Sequence, residues 1–241
     1  MNQPLEFERA RSVFRARKNE GELLFDEVKQ LWTPPADRTK LNRANINAEP
    51  VFYCSTELEN AVFELKPGVG DIVTVLRADL KGNVSPRLIS LGIWELAQRY
   101  GVAIGGEPTD LLDKFFGHDG DSRRKVQLID AFLVEEFTRV VPEGDEYRYL
   151  YKITAAIAQW CYRLSCLDGP VDGIVYPSMQ SGGVGACIAL LPGSVNRLFR
   201  ASACSVMEII DASSNSALKT RQGEAKSISE DGRIEWGLKT S

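Results

Sequence analysis

One histidine, three methionines and no CxxC pair make the 241-residue sequence notable for what it withholds. His118, in the loop sequence FFGHDGD, is the lone histidine. A single loop histidine reads most simply as a surface residue, and no Ser-His-Asp or Cys-His set can be assembled around it. The five cysteines, Cys54, Cys161, Cys166, Cys187 and Cys204, are odd in number and sit mostly in apolar surroundings. That usage disfavours a disulfide framework or a zinc site and fits a reducing cytoplasm, so no metal is expected. An excess of positive charge is missing too: 29 Lys and Arg face 33 Asp and Glu, a net charge of −4. Broad nucleic-acid binding needs a basic face and is not expected. A small anionic ligand stays open, because a few local arginines can hold one. No apolar run approaches the ~20 residues needed to cross a bilayer, and MNQPLEFERARS has no apolar signal core. The expectation is a cytoplasmic protein away from the membrane. Repeats and low-complexity tracts are absent.

What is present is an ordinary globular composition, 44% hydrophobic and 26% charged, enough for one sizeable core. SVFRARK (12–18) alternates as a strand should. Leu24, Val28 and Leu31 share a helical face in ELLFDEVKQLW. TPPADRTKLNRANINAEP (33–50) is a long polar loop, and VFYCS a short strand. Thr56 and Glu59 form a capping-box pattern that predicts a helix over ELENAVFEL, with Leu58, Ala61, Val62 and Leu65 inward and Glu64 beside that stripe. DIVTVLRAD reads as a strand. Ser85-Pro86 predicts a helix to about Tyr100, closed by Gly101. Val126, Ile129, Leu133 and Phe137, then Leu150, Ile153, Ile157, Cys161 and Leu164, recur at helical spacing, and Asp119 and Asp121 cap the first of these helices. GIVYPS and ACIALLP read as buried strands joined by the turn MQSGGVG, and ASACSVMEIIDA as the last strand. The division is a domain over 1–212 and a polar C-terminal tail over 213–241, anchored at Ile228, Ile234, Trp236 and Leu238. The pattern is α+β, strands near both ends and helices between.

Several residue types are suited to chemistry, and each has a plain reading beside it. Arg15 and Arg17 share strand parity and project to one face, which is either charged and wet or built for an anion. Arg43 lies in a loop of the kind where ligands dock, and guanidinium suits phosphate or pyrophosphate. Tyr53 and Glu64 could meet across a strand-to-helix turn, or be a half-buried tyrosine and a solvated glutamate. Ser178 precedes Ser181-Gly182-Gly183-Val184-Gly185, which lacks the Gly-Lys-Ser/Thr ending of a Walker loop and suits a hairpin connection. Glu135 and Glu136 point apart on a helix. Tyr147, Tyr149 and Tyr151, interleaved with Arg148 and Lys152, do not share a helical face.

Taken in order, VFRAR, NRANINAEPVFYCS, ENAVFEL and DGIVYPS…GGVGACIALL resemble the RES-domain family, from about Phe14 to Pro192. The helical segment from about Gly117 to Leu164 resembles a longer subgroup. The resemblance implies a single RES domain, similar in fold to ADP-ribosyltransferase toxins, with a central helical segment. It also implies an NAD+-degrading toxin of a bacterial toxin–antitoxin pair. The family's first arginine falls on Arg15, its loop on Asn42-Arg43-Ala44-Asn45, its tyrosine on Tyr53, its glutamate on Glu64 and its serine on Ser178. Asn42 stands where glycine is usual, and Ala44 where an aromatic is frequent.

On that resemblance Glu64 would stabilise positive charge on the ribose as the nicotinamide–ribose bond breaks. Arg15, Arg43 and Arg17 would hold pyrophosphate or an attacking phosphate. Tyr53 would pack on the nicotinamide or its ribose, with Asn45 in the loop and Ser178 bonding the substrate. NAD+ is then a substrate, inorganic phosphate a candidate co-substrate, and a neutralising antitoxin protein the expected partner. The acceptor stays open between phosphate, water and a protein side chain. So do a homo-oligomer and a non-catalytic interaction module.

Overall fold

The computed structural model describes residues 11–21, 23–82, 84, 86–92, 120–166, 169–178, 186–211 and 219–237. Its framework is a sheet of nine described strands. They are β1 (Ser12–Lys18), β2 (Phe52–Ser55), β3 (Ile72–Leu80), β4 (Leu88–Ser90), β7 (Gly173–Pro177), β8 (Ala186–Leu190), β9 (Phe199–Asp211), β10 (Lys219–Ile228) and β11 (Ile234–Trp236). A separate two-stranded ribbon pairs β5 (Ser165–Cys166) with β6 (Gly169–Pro170). The order across the large sheet is β11-β10-β9-β3-β1-β2-β8-β7-β4. All neighbours are antiparallel except β4 and β7, which run parallel. With its helices this makes an α+β fold. No described helix is long and apolar enough to cross a membrane.

Strand alternation sorts the core by face. Val13, Phe52, Leu76, Ile188 and Leu190 point to one side, where they join Leu31 of α1 (Val28–Leu31) and Leu198 of α5 (Pro192–Leu198). The other side carries two clusters. Ala16, Val73, Val75 and Met207 pack under Ala61 and Val62 of α2 (Leu58–Phe63). Val51, Ile174, Tyr176 and Ala189 pack under Phe137 of α3 (Gly120–Thr138) and Ala158 and Cys161 of α4 (Lys152–Tyr162). α2 borders the site on this side, while Arg15 and Arg17, which alternate with Ala16, lie on the side of Val13 and Phe52.

Several sequence expectations are corrected. The helix predicted from Leu24 shrinks to the single turn Val28–Leu31, because the chain before it pairs instead: Glu27 bridges Arg233, and Asp26 O accepts from Ile234 N–H at 2.8 Å. The Thr56–Glu59 capping box does not form. Glu57 is the N-cap, and the Ser55 hydroxyl accepts its N–H at 3.2 Å. α2 therefore ends at Phe63, and Glu64 is its C-cap. At Leu88 the predicted helix is strand β4, since Leu88–Ser90 can pair with β7; Ser85 and residues 93–101 lie outside the described residues. The α3 and α4 periods hold in part: Phe137 and Cys161 are buried as the spacing requires, but Ile129 and Ile153 are exposed, while Val134, Ala155 and Ala158 are buried instead. α5 carries no expectation from periodicity, although Pro192 stands in its first turn. β9 is not the last strand. The stretch read as a polar tail supplies β10 and β11, with Ile234 buried and Trp236 donating from its indole N–H to Phe25 O at 2.8 Å. His118, Asp119, the 179–185 turn and Leu238 lie outside the described residues.

Candidate active site

β1 and β2 are neighbours that exchange one residue pair, Phe14 with Ser55, and then part. The parting opens a cavity of about 500 Å³. Phe14–Lys18 of β1 and Tyr53–Ser55 of β2 line it, with Asn42 and Arg43, Glu64 and Lys66 after α2, Arg139–Val141 after α3, and Tyr151, Tyr176 and Cys187.

Arg15 spans the opening. Its Nη1 donates to Tyr53 O at 3.0 Å, substituting for a ladder bond that the separated strands do not make. The guanidinium lies 5.1 Å from the Phe52 ring centroid. Its Nε is buried with no hydrogen-bond partner, and no carboxylate pairs with Arg15 among the described residues. Burial, and then the neighbouring Arg17, pull its pKa down to about 10, so the group stays cationic at neutral pH. Interiors seldom hold a charge without a counter-charge. Arg17, on the same face, also lines the cavity, but its guanidinium donates from Nη1 to Gln30 O and lies 5.3 Å from the Phe25 ring centroid.

Arg43 is held elsewhere than expected. Its guanidinium donates to Phe137 O at 2.6 Å, Arg139 O at 3.0 Å and Glu136 O at 3.3 Å, and it stacks 5.3 Å from the Tyr151 ring centroid. These carbonyls belong to the end of α3, where the helix dipole is negative and carbonyls lack partners. The loop before β2 is fixed by Tyr53, whose hydroxyl accepts from Ala44 N–H at 2.9 Å and donates to Asn45 Oδ1 at 2.8 Å. Tyr162 donates to Ala44 O at 3.0 Å. Asn45 is buried and gives its own N–H groups to Lys40 O and Ile46 O, so it braces the loop behind the cavity. Burial pushes the Tyr53 hydroxyl far above its ordinary pKa. Its ring faces the cavity while its hydroxyl is committed to the loop.

Glu64 is exposed and lines the cavity, and its Oε1 accepts the hydroxyl of Ser178, which is wholly buried behind it. Cys187 lies on the same wall; burial and then Glu64 raise its thiol well above the ordinary range. Arg15, Arg17, Arg43, Tyr53 and Glu64 thus come from separated stretches to one cavity, with Asn45 and Ser178 one layer back.

Sequence reasoning missed Lys18, Lys66, Arg139, Tyr176 and Cys187 as cavity residues. Tyr176 stood only in a buried strand, and nothing local to Lys66 or Arg139 signals a site. Arg15, Arg17, Lys18, Arg43, Lys66 and Arg139 give six cations on the lining against the one carboxylate of Glu64. Lys18 pairs with Asp71 at 2.9 Å, and Arg139 pairs with Glu136. The cavity can attract an anion and present a carboxylate to it. No family model matches the chain, and no curated protein compared with it is similar.

Proposed function

We propose that the protein is an NAD+-degrading enzyme of the RES type, with a fold related to that of ADP-ribosyltransferase toxins. It cleaves the nicotinamide–ribose bond with phosphate or water as acceptor, and acts in the cytoplasm as a toxin held in check by a protein antitoxin. One observation carries the reading: a half-buried arginine with no carboxylate partner among the described residues, Arg15, shares a cavity with a carboxylate fixed by a buried serine. An anionic substrate with a reacting centre that gains positive charge fits both. NAD+ has a pyrophosphate for the arginines and a ribose carbon for the carboxylate. The order of the RES-like motifs agrees.

In this scheme the pyrophosphate meets Arg15 and the adjoining cations. The bond from the anomeric carbon to the nicotinamide nitrogen breaks, and its electron pair leaves with the neutral nicotinamide. The ribose then carries oxocarbenium character, which Glu64 stabilises at close range. Ser178 holds one carboxylate oxygen, which keeps Glu64 turned toward the substrate. A phosphate oxygen or a water oxygen forms the new bond to the anomeric carbon; a water acceptor also gives up a proton. Tyr53 acts through its ring and through the loop that its hydroxyl holds.

Incubating the purified protein with NAD+, with and without inorganic phosphate, tests the scheme. Phosphate-dependent loss should give ADP-ribose-1″-phosphate, and phosphate-independent loss ADP-ribose. Glu64→Gln should lower turnover by about 10²–10³-fold, the scale of removing one transition-state contact, with an unchanged melting curve. Full activity in that variant would overturn the assignment. No turnover by the native chain would shift weight to a transferase awaiting a protein target or to an interaction module.

A further inference from the structure

Two described non-glycine residues have positive φ, Ala48 at 62° and Lys66 at 48°. Ala48 closes the loop, donating to Thr39 O at 3.0 Å, and its methyl group is small. Lys66 is different. It stands just past the C-cap of α2, where its N–H donates to Phe63 O at 2.9 Å and its backbone turns left-handed. Glycine or asparagine is preferred at such a position, because a Cβ crowds the neighbouring carbonyl. A residue that strains its backbone at the edge of a cavity is a candidate for function.

Two further observations point to a ligand. Lys66 is exposed and lines the cavity, two residues after Glu64. Among the described residues it has no carboxylate partner, whereas its neighbour Lys18, which also donates to Lys66 O at 3.3 Å, is neutralised by Asp71. The cation at the strained position therefore shares the cavity lining with the half-buried Arg15, and neither has a carboxylate partner among the described residues.

We propose that Lys66 is a phosphate-binding residue of this cavity, working with Arg15 on opposite sides of one phosphate or pyrophosphate group. The identity of the molecule bearing that group rests on the NAD+ reading; the contact itself does not. The left-handed turn aims the ammonium at the ligand at the expense of fold stability, so glycine should separate the two effects.

The test is calorimetric titration of inorganic pyrophosphate into the native protein, Lys66→Gly and Lys66→Arg, with thermal melts and NAD+ turnover alongside. Lys66→Gly should weaken pyrophosphate binding about tenfold or more, the size of a lost charge-assisted hydrogen bond. It should also raise Tm by about 2–4 °C through relief of the strained φ. Lys66→Arg keeps both charge and strain, and should bind within about threefold of native with no rise in Tm. Unchanged binding in Lys66→Gly overturns the proposal, as does absence of pyrophosphate binding by the native protein. A protein that binds pyrophosphate through Lys66 yet consumes no NAD+ overturns the function proposed above and leaves this contact standing.

Discussion

At the scale of single residues, Arg15 couples binding to stability in opposite directions. Its charge is partly desolvated, and Tyr53 O accepts only one of its donors. Because burial lowers its folded pKa to about 10, below the ordinary guanidinium range, the folded state releases this proton before the unfolded state does. The cost is therefore fully present below about pH 10 and is relieved as pH rises above it. Replacing Arg15 by Met removes the buried charge but leaves Tyr53 O without its donor. The first effect is the larger, so the free protein should gain about 1 kcal/mol. The same variant should lose its stabilisation by pyrophosphate. Denaturant unfolding with and without pyrophosphate checks both halves, and a destabilised free Arg15→Met protein would contradict the account. The shared parity of Arg15 and Arg17 was legible in VFRAR. Their separate ties, to Tyr53 O and to Gln30 O, were not, because both depend on strands and turns distant in sequence.

At the scale of elements, the loop before β2 and the end of α3 are one unit. Arg43 was legible as a loop arginine of the kind that meets ligands. The structure spends its guanidinium on three carbonyls and a tyrosine ring, contacts between residues more than 90 apart in sequence that no local pattern encodes. Arg43→Lys keeps the charge but cannot span three acceptors, since an ammonium lacks the planar fork. We expect a loss of about 1–3 kcal/mol, the cost of carbonyls left unpaired, seen as a lower denaturant midpoint with an unchanged m-value. No change in midpoint would free Arg43 for a direct ligand role. Period was the most dependable signal at this scale: it placed α3, α4 and the central strands. It failed where a tertiary partner intervened, as when β7 drew Leu88–Ser90 into the sheet and the β10–β11 hairpin drew Phe25–Glu27 out of a helix.

At the scale of the molecule, the sheet runs beyond the strand that sequence made its last. KTRQGEAKSI has few apolar residues, so its alternation carries no hydrophobic signal; it is an outer strand that pairs through its backbone with β9 and is closed by β11. Its anchors were visible singly as Ile228, Ile234 and Trp236, and all three pack against the core cluster around Phe52 and Leu190. A chain truncated after Ala212 loses these three side chains, at roughly 1.5–3 kcal/mol for a fully buried one such as Ile234 and less for the partly buried Ile228 and Trp236, together with the β9–β10 pairing. That sum is comparable to the whole stability of a typical domain, about 5–15 kcal/mol. The truncated protein should melt without cooperativity in far-UV circular dichroism; a native-like transition would show that the hairpin is dispensable. The net charge of −4 likewise gave no hint of a cavity with six cations, because sign is arranged locally by the fold and only summed by composition.

Strands joined in series are as stiff as their weakest seam. β1 meets β3 through seven residue pairs and β2 through one, so under thermal or mechanical load shear collects along the line from Phe14 to Ser55. The sheet behaves there as two plates pinned at a corner, and the cavity is the wedge between them. A ligand gripping Arg15 on one plate and the Arg43 loop on the other acts as a rivet. Occupancy should therefore register in the rigidity of the whole sheet as well as in the wedge itself.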